Sequence, residues 1–177
     1  LQGVNSDETF HIFTGTGRNG KSKLVELLEK ALGDYSGKLQ MSALTKPRKN
    51  SSDANPDQIV VRNARLVSMQ ESNKNEKIQN GTLKEYSGGD EMTARGLFKE
   101  PIKFKPQYKI IMQVNDIPPL EDPNDPAVYE RVRVIYFPVF FSKKELKDEY
   151  DKPVDTTISD KLDKWAPYFM TLLIHWY

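Results

Sequence analysis

The residues with the clearest chemical potential form a glycine-rich run, Gly-Thr-Gly-Arg-Asn-Gly-Lys-Ser, at positions 15 to 22. The run meets the pattern GxxxxGK[ST] and lies between an apolar segment and an amphipathic one, which is the context that a phosphate-binding loop requires. Its glycines would let backbone N–H groups converge on phosphates, the lysine would reach the β and γ phosphates, and the serine hydroxyl suits Mg²⁺. We therefore predict that ATP with Mg²⁺ is bound by Gly15, Thr16, Gly17, Arg18, Asn19, Gly20, Lys21 and Ser22.

Two polar residues, Glu71 and Asn115, follow apolar runs and are candidates for the rest of a hydrolytic site. Glu71 ends the run that begins at Ala64, and an acid at the end of a neighbouring strand can activate water or hold the metal together with Ser22. Gln70 stands where many P-loop enzymes carry a second acid, so Mg²⁺ held by Ser22, phosphates and water alone is the alternative. Asn115 ends another run and would orient the attacking water if its strand lies next to the loop strand. We expect the Lys21 ammonium to face solvent when no nucleotide is bound.

A locally basic segment from Arg95 to Lys109 contrasts with the net charge of +1 for the whole chain. Glu100-Pro101 is a turn signal between two extended stretches, so we predict a hairpin. Such a hairpin suits phosphate contact, and Phe98, Lys99 and Lys103 are its candidate binding residues. The alternative is a solvated basic hairpin whose aromatic residues belong to the core.

Four apolar runs predict strands at residues 10–14, 64–69, 108–114 and 132–137. Consecutive apolar positions indicate strands buried on both faces of a largely parallel sheet, and helix-length connections favour an α/β three-layer domain. We predict helices over residues 21–32, with Leu24, Leu27, Leu28 and Leu32 on one face, and over 75–86, ending at Gly88-Gly89. Residues 46–57 indicate an exposed loop. Residues 155–177 show helical spacing that Pro167 would kink or split.

Composition narrows the class of protein. The chain has 177 residues, of which 37% are hydrophobic and 29% charged, as expected for one globular domain. It has no cysteine, which excludes disulfides, thiolate zinc sites and thiol catalysis. No run of 18 apolar residues indicates a membrane span, and a protein that uses ATP is expected to be intracellular. Because the chain begins at Leu1 rather than methionine and ends on an apolar tail, we expect a fragment of a longer protein.

Together these segments resemble the superfamily-three helicases of the AAA+ class, in particular the helicase–primases of large DNA viruses and related phage and plasmid primase–helicases. The resemblance is carried, in order, by the loop and by the segments 65–71, 83–95, 104–109 with Asn115, and 131–137. It implies a P-loop AAA+ fold over residues 1–140, followed by a truncated C-terminal helical segment over 141–177. It also implies a hexameric ring around single-stranded or forked DNA, which Phe98, Lys99 and Lys103 of the hairpin would contact inside the central pore. A primase domain on the same polypeptide and a site in the host cytoplasm or a viral replication factory are implied as well.

The same resemblance implies roles for individual residues. The glycine-rich loop would be Walker A, Glu71 the Walker B acid, Asn115 sensor 1, and Arg131 an arginine finger that reaches the ATP of a neighbouring subunit. Relatives often have two consecutive arginines where this chain has Glu130-Arg131. The finger is therefore either Arg131 or Arg133.

The function that these expectations favour is an ATP-dependent DNA helicase motor acting in viral DNA replication. Lys21, Glu71, Asn115 and Arg131 would be its catalytic residues. A P-loop phosphotransferase is one alternative, but no arginine-rich lid stands out. A nucleic-acid-binding ring module with weak ATPase is another, because Gln70 replaces a second acid.

Overall fold

The computed structural model describes residue 3 and residues 5–46, 55–70, 76–143 and 148–176. In chain order the strands are β1 (Phe10–Thr14), β2 (Ser36–Gln40), β3 (Leu66–Gln70), β4 (Met92–Ala94), β5 (Ile102–Phe104), β6 (Lys109–Gln113), β7 (Val132–Tyr136), β8 (Phe140–Ser142) and β9 (Asp151–Pro153). The α-helices are α1 (Lys21–Leu32), α2 (Ser42–Thr45), α3 (Pro56–Val60), α4 (Asn80–Ser87), α5 (Pro126–Arg131) and α6 (Ile158–His175). No helix in these described ranges is long and apolar enough to cross a membrane.

A five-stranded sheet with the order β2-β3-β6-β1-β7 forms the centre of the fold, and all of its strand pairs are parallel. The predicted α/β architecture is therefore confirmed. Strand β6, which ends two residues before Asn115, does lie beside the loop strand β1. The strand that precedes Glu71 does not, because β6 lies between β3 and β1. The expectation of a neighbouring strand was wrong for β3.

Apolar side chains cover both faces of this sheet. One cluster includes Ile12, Val67 and Met112, and the cluster on the opposite face includes Phe13 and Ile111 with helix α1. Alternate residues of each strand thus point to opposite faces, and both faces are buried, as in a three-layer domain.

The buried face of α1 differs from the predicted leucine face. The residues that turn toward the sheet are Lys21, Val25 and Leu32, with Leu28 partly buried, whereas Leu24 is exposed. The reason is that α1 begins inside the phosphate loop, where Lys21 is fixed, and residues at spacings of four and seven from it share its face. Helix α6 packs along α1, with ion pairing between Lys30 and Asp163 at 2.5 Å.

The predicted strands and helices agree with the structure to within a few residues, with clear exceptions. Strand β2 was missed because it is a sheet edge in which only Leu39 is buried. Residues 46–57 are not all loop, since α3 begins at Pro56, while 47–54 lie outside the described residues. The predicted start of α4 at Asn75 also lies outside them, and the helix itself begins at Asn80. Pro167 does not split α6, which is continuous.

The basic segment does form a hairpin, as predicted. Strand β4 pairs antiparallel with β5, and the register places Thr93 opposite Lys103. The first strand precedes Arg95, however, so residues 95–101 form the connection rather than a strand.

Candidate nucleotide-binding site

The phosphate loop joins β1 to α1, and two of its three glycines are required by its backbone. Gly15 has φ 135°, and a Cβ there would lie 2.6 Å from the carbonyl oxygen of Phe137. Gly20 has φ 87° and precedes the first residue of α1. Both φ values lie in the region that favours glycine, so the loop geometry depends on these two positions.

Lys21 is held inside the loop rather than facing solvent. Its side chain is buried, and the ammonium donates to the carbonyl oxygens of Gly15 at 2.6 Å and Thr16 at 3.4 Å, and to Asn115 Oδ1 at 3.4 Å. The expectation of a solvent-facing ammonium was therefore wrong. The physical reason is that the curled loop turns its own carbonyl groups toward the charge, which compensates for burial. Phosphate oxygens would have to compete with these acceptors.

Hydrogen bonds within the loop and to the segment after β7 support the loop backbone. Asn19 donates from Nδ2 to the Phe137 carbonyl oxygen at 3.4 Å and accepts from the Lys21 backbone N–H at 3.4 Å. The Phe141 N–H donates to the Arg18 carbonyl oxygen at 2.7 Å. Phe137 and Phe141, which follow β7, were not predicted from the sequence, because their role is to support backbone. Thr16, Gly17, Arg18 and Ser22 are exposed, as residues that meet a ligand should be.

Asn115 lies at the carboxyl end of β6, beside the loop. The Thr14 hydroxyl donates to its carbonyl oxygen at 2.9 Å, and the Val114 N–H donates to the Phe13 carbonyl oxygen at 3.0 Å. These bonds connect the ends of β1 and β6. Two of the predicted catalytic groups, the Lys21 ammonium and the Asn115 amide, are thereby brought within 3.4 Å of each other.

The predicted acid, Glu71, lies outside the described residues. The residue before it, Gln70, is exposed at the end of β3 and pairs in register with Gln113 at the end of β6. Within the described ranges, no cluster of three or more His, Cys, Asp or Glu residues could hold a metal ion. The oxygen donors here are the Ser22 hydroxyl and glutamine amides, which are hard ligands of the kind that suits Mg²⁺.

Arg131 lies at the opposite end of the sheet from its own loop. It is the last residue of α5 and directly precedes Val132, which pairs with the first residue of β1. The loop begins after the last residue of β1, and a five-residue strand spans roughly 17 Å at about 3.3 Å per residue. The Arg131 guanidinium donates to the Ala127 carbonyl oxygen at 2.9 Å and forms an ion pair with Glu8. The structure therefore does not bring Arg131 to Lys21 or Asn115.

Helix α5 sets the position of Arg131. Its N-terminus is capped by Asp125, whose carboxylate accepts from the Ala127 N–H at 3.0 Å. Hydrogen bonds from Lys84 and Asn80 of α4 hold the pKa of the Asp125 carboxyl below its ordinary value, so this cap is charged. Arg133, the alternative finger, is exposed and donates to the carbonyl oxygens of Glu130 and Val132. Sequence reasoning missed Glu8 as a partner, since the two residues are 123 positions apart.

The three residues predicted to contact nucleic acid are all exposed, but their surroundings differ. Phe98, in the connection between β4 and β5, is fully exposed at φ 57°, a strained conformation for an aromatic residue. Lys99 is exposed beside it, whereas Lys103 forms an ion pair with Glu91 at 3.1 Å. Phe104 and Tyr108 pack with the core, so the alternative expectation holds for these two aromatics.

Comparison with known proteins gives consistent relatives. A family model described as "Family of unknown function (DUF5906)" matches residues 13–131. Relatives named as putative helicases include three that match over at least nine tenths of this chain. The one from Acanthamoeba polyphaga mimivirus is 38% identical, over 100% of this chain and 19% of its own length. The one from Frog virus 3 (isolate Goorha) is 34% identical, over 99% of this chain and 18% of its own length. The one from Sputnik virophage is 30% identical, over 92% of this chain and 22% of its own length. The resemblance to helicases of large DNA viruses is confirmed.

A solved structure, the apo NrS-1 C-terminal region, matches with a TM-score of 0.67 and 19% identity, over 93% of this chain and 36% of that one. At this identity the match supports the fold. The chain spans less than a quarter of the length of each of the three viral relatives.

Proposed function

The chain belongs to the family of unknown function DUF5906, and from the loop geometry together with the similarity to putative helicases of viruses we propose that it is the ATP-hydrolysing motor domain of a viral DNA helicase. The observation that carries the proposal is the arrangement of Lys21, which is fixed within a complete phosphate loop and lies 3.4 Å from Asn115. A lysine and an amide at this distance can contact a nucleotide's terminal phosphate and the water that attacks it.

The residues present fit ATP with Mg²⁺. Ser22, the second residue of α1, is exposed, as are residues 16–18 of the loop. Gln113 contributes a buried amide without a hydrogen-bond partner among the described residues. Mg²⁺, when bound, neutralises charge on the β and γ phosphates. Ser22 and Glu71 would hold it, Glu71 would accept the proton of the attacking water, and Asn115 would orient that water. Lys21 would exchange loop carbonyls for phosphate oxygens.

We assign Arg131 to the ATP of a neighbouring subunit. Its separation from its own loop supports this assignment, since a guanidinium at the other end of β1 cannot reach that site within one chain. A homo-oligomeric ring, a hexamer in the resembling helicases, would place the arginine of one subunit against the loop of the next. The edge strand β7 is consistent with a subunit interface, because Val134, Ile135 and Tyr136 are all exposed.

DNA contact is assigned to the hairpin formed by β4 and β5. A fully exposed Phe98 beside Lys99 is an arrangement suited to stacking on a base while an ammonium binds phosphate. Lys103 would contribute after leaving Glu91. The partner would be single-stranded or forked DNA, contacted inside the ring.

The remaining assignments concern the whole polypeptide. Residues 1–140 would form the ATPase core and residues 141–177 the beginning of a C-terminal helical segment. A primase domain on the same polypeptide and an intracellular site of viral DNA replication are part of this proposal. The viral relatives are named as putative helicases and are much longer than this chain, which leaves room in them for a further domain.

One rival function is favoured by a specific observation. Gln70 and Gln113 are amides at strand ends where a second acid would be expected, so a ring module that binds nucleic acid and hydrolyses ATP weakly is the second candidate. A phosphotransferase is not supported by any lid among the described residues.

Phosphate release with and without single-stranded DNA distinguishes these functions. The motor predicts turnover that single-stranded DNA increases severalfold, and this increase should be lost in Phe98→Ala but kept in Tyr168→Ala, which removes another exposed aromatic, from α6. Slow turnover that DNA leaves unchanged would support the weak ATPase instead.

A further inference from the structure

Three adjacent strands of the central sheet end in the same residue type. Gln40 is the last residue of β2, Gln70 of β3 and Gln113 of β6. The register pairs Gln40 with Gln70 and Gln70 with Gln113, and Gln113 in turn pairs with Phe13 of the loop strand. The three glutamines thus form one row that leads from the sheet edge to the phosphate loop.

All three side chains belong to the face of the sheet that α1 covers. Along β3, Ser68 bonds Glu29 of α1 at 2.6 Å, and Gln70 lies two residues further on the same face. Along β6, Ile111 packs in the cluster that contains Val25 of α1, and Gln113 lies two residues further. This is the face on which α1 begins with Lys21 and Ser22.

The innermost glutamine is the unusual one. Gln113 is 5% exposed, and neither its amide oxygen nor its amide nitrogen has a hydrogen-bond partner within the described part of the chain. Buried polar groups are normally bonded, and each exception needs an explanation. Gln40 and Gln70, at the corresponding ends of their strands, are exposed, so solvent can form hydrogen bonds with their amides.

We propose that Gln113 and Gln70 are positioning residues for Mg²⁺ and act through the water molecules that surround the ion. Mg²⁺ gives up its water reluctantly and usually keeps several molecules when it is bound with nucleotide phosphates. An amide can accept from one such water through its oxygen and donate to another group through its nitrogen. The pair would replace the second carboxylate of many P-loop enzymes, and this inference rests on the proposed ATPase.

The location of Gln113 agrees with this role. It ends β6, two residues before Asn115 and beside the strand that carries the loop, and the adjacent strand ends at Gln70. A water molecule near Gln113 would therefore lie between the loop and the end of β3. Gln40 is three strands from β1, about 14 Å at roughly 4.8 Å per strand. It is too distant to contribute and serves as the control.

The test measures the ratio of ADP affinity with Mg²⁺ to ADP affinity with EDTA, by titration of a fluorescent ADP analogue. In Gln113→Met, which keeps side-chain length, we expect the ratio to fall about tenfold, the lower end for outer-shell partners of a metal. Affinity in EDTA should stay within about twofold, and the melting temperature without nucleotide should not fall, because no bonded partner is lost. Gln40→Met should leave the ratio unchanged. In Gln70→Glu a carboxylate replaces the amide, and the ratio should rise.

Three results would overturn the inference. One is an unchanged ratio in Gln113→Met, and another is an unchanged or lower ratio in Gln70→Glu. The third is an equal loss of affinity with Mg²⁺ and with EDTA in Gln113→Met, together with a lower melting temperature, which would indicate a structural role. If Lys21→Ala still binds ADP with wild-type affinity, the proposed ATPase site is wrong, and this inference is wrong with it. If Lys21→Ala loses binding while the glutamine variants keep the wild-type ratio, only this inference fails.

Discussion

The two ends of the central sheet carry different residues of the candidate site. At the carboxyl end, the loop, Lys21 and Asn115 come together within one chain. At the amino end, Arg131 is bonded to Glu8 and Ala127 and has no phosphate loop of its own chain within reach. In the proposed motor, nucleotide binding would therefore belong to the single chain, whereas rapid hydrolysis would require a second copy.

Lys21→Ala tests the carboxyl end and should have the largest effect. Removal of the ammonium should lower ATP hydrolysis to below about 1% of wild type, since it takes away charge stabilisation of the transferring phosphate. Phosphate release measures the loss, and circular dichroism should show an unchanged fold. Lys23→Ala is the matched control, because Lys23 lies on the same helix and pairs with Glu26 at 2.7 Å. Turnover near wild type in Lys21→Ala would contradict the site assignment.

Arg131→Ala tests the amino end. We expect hydrolysis to fall by about 10³, as for other arginines supplied in trans, while ATP affinity changes little. Titration of nucleotide analogue and phosphate release separate the two effects. Arg133→Ala is the comparison, and the account places the larger loss at Arg131. The reverse order would assign the finger to Arg133.

Glu71→Gln distinguishes binding from chemistry at the carboxyl end. It should bind ATP with Mg²⁺ but hydrolyse it at least about a hundredfold more slowly, the lower end for a positioned general base. Single-turnover phosphate release provides the rate. Asp116→Asn changes an exposed acid at the same end of the sheet and should remain near wild type. A loss of less than tenfold in Glu71→Gln would mean that another group is the base.

Glu8→Gln should have the smallest effect, and it tests the ion pair that Arg131 forms at the amino end of the sheet. Glu8 competes with any neighbour's nucleotide for Arg131, and a partly exposed ion pair contributes about 0.2–1 kcal/mol. The protein concentration for half-maximal ATPase should therefore fall by up to about fivefold. Asp7→Asn, which removes the adjacent ion pair with Lys109, is the control. A higher half-maximal concentration in Glu8→Gln would show that Glu8 supports Arg131 instead.

The sequence predicted best what depends on local pattern. The loop, α1 and β1 follow from glycine spacing and apolar runs over consecutive residues, and their bounds were predicted to the residue. Strand β2 was missed and the prediction of the buried face of α1 was wrong, because both features depend on tertiary position. An edge strand buries little, and α1 is oriented by the fixed Lys21 rather than by its leucines.

Long-range contacts were beyond sequence reasoning. Nothing in local pattern relates Glu8 to Arg131, or places β6 between β3 and β1. The row of glutamines has a faint signal, since Gln70 and Gln113 each end a buried apolar run. It becomes meaningful only through strand register.

The most direct test of the divided site mixes two inactive proteins. Lys21→Ala has an intact Arg131, and Arg131→Ala has an intact loop, so an interface between them contains one complete site. Co-expression or subunit exchange should produce mixed oligomers, which native mass spectrometry can verify. The account predicts that these oligomers hydrolyse ATP well above either parent, and that activity rises with their fraction. Verified mixed oligomers with no activity above the parents would contradict an Arg131 that acts on the neighbouring subunit's ATP.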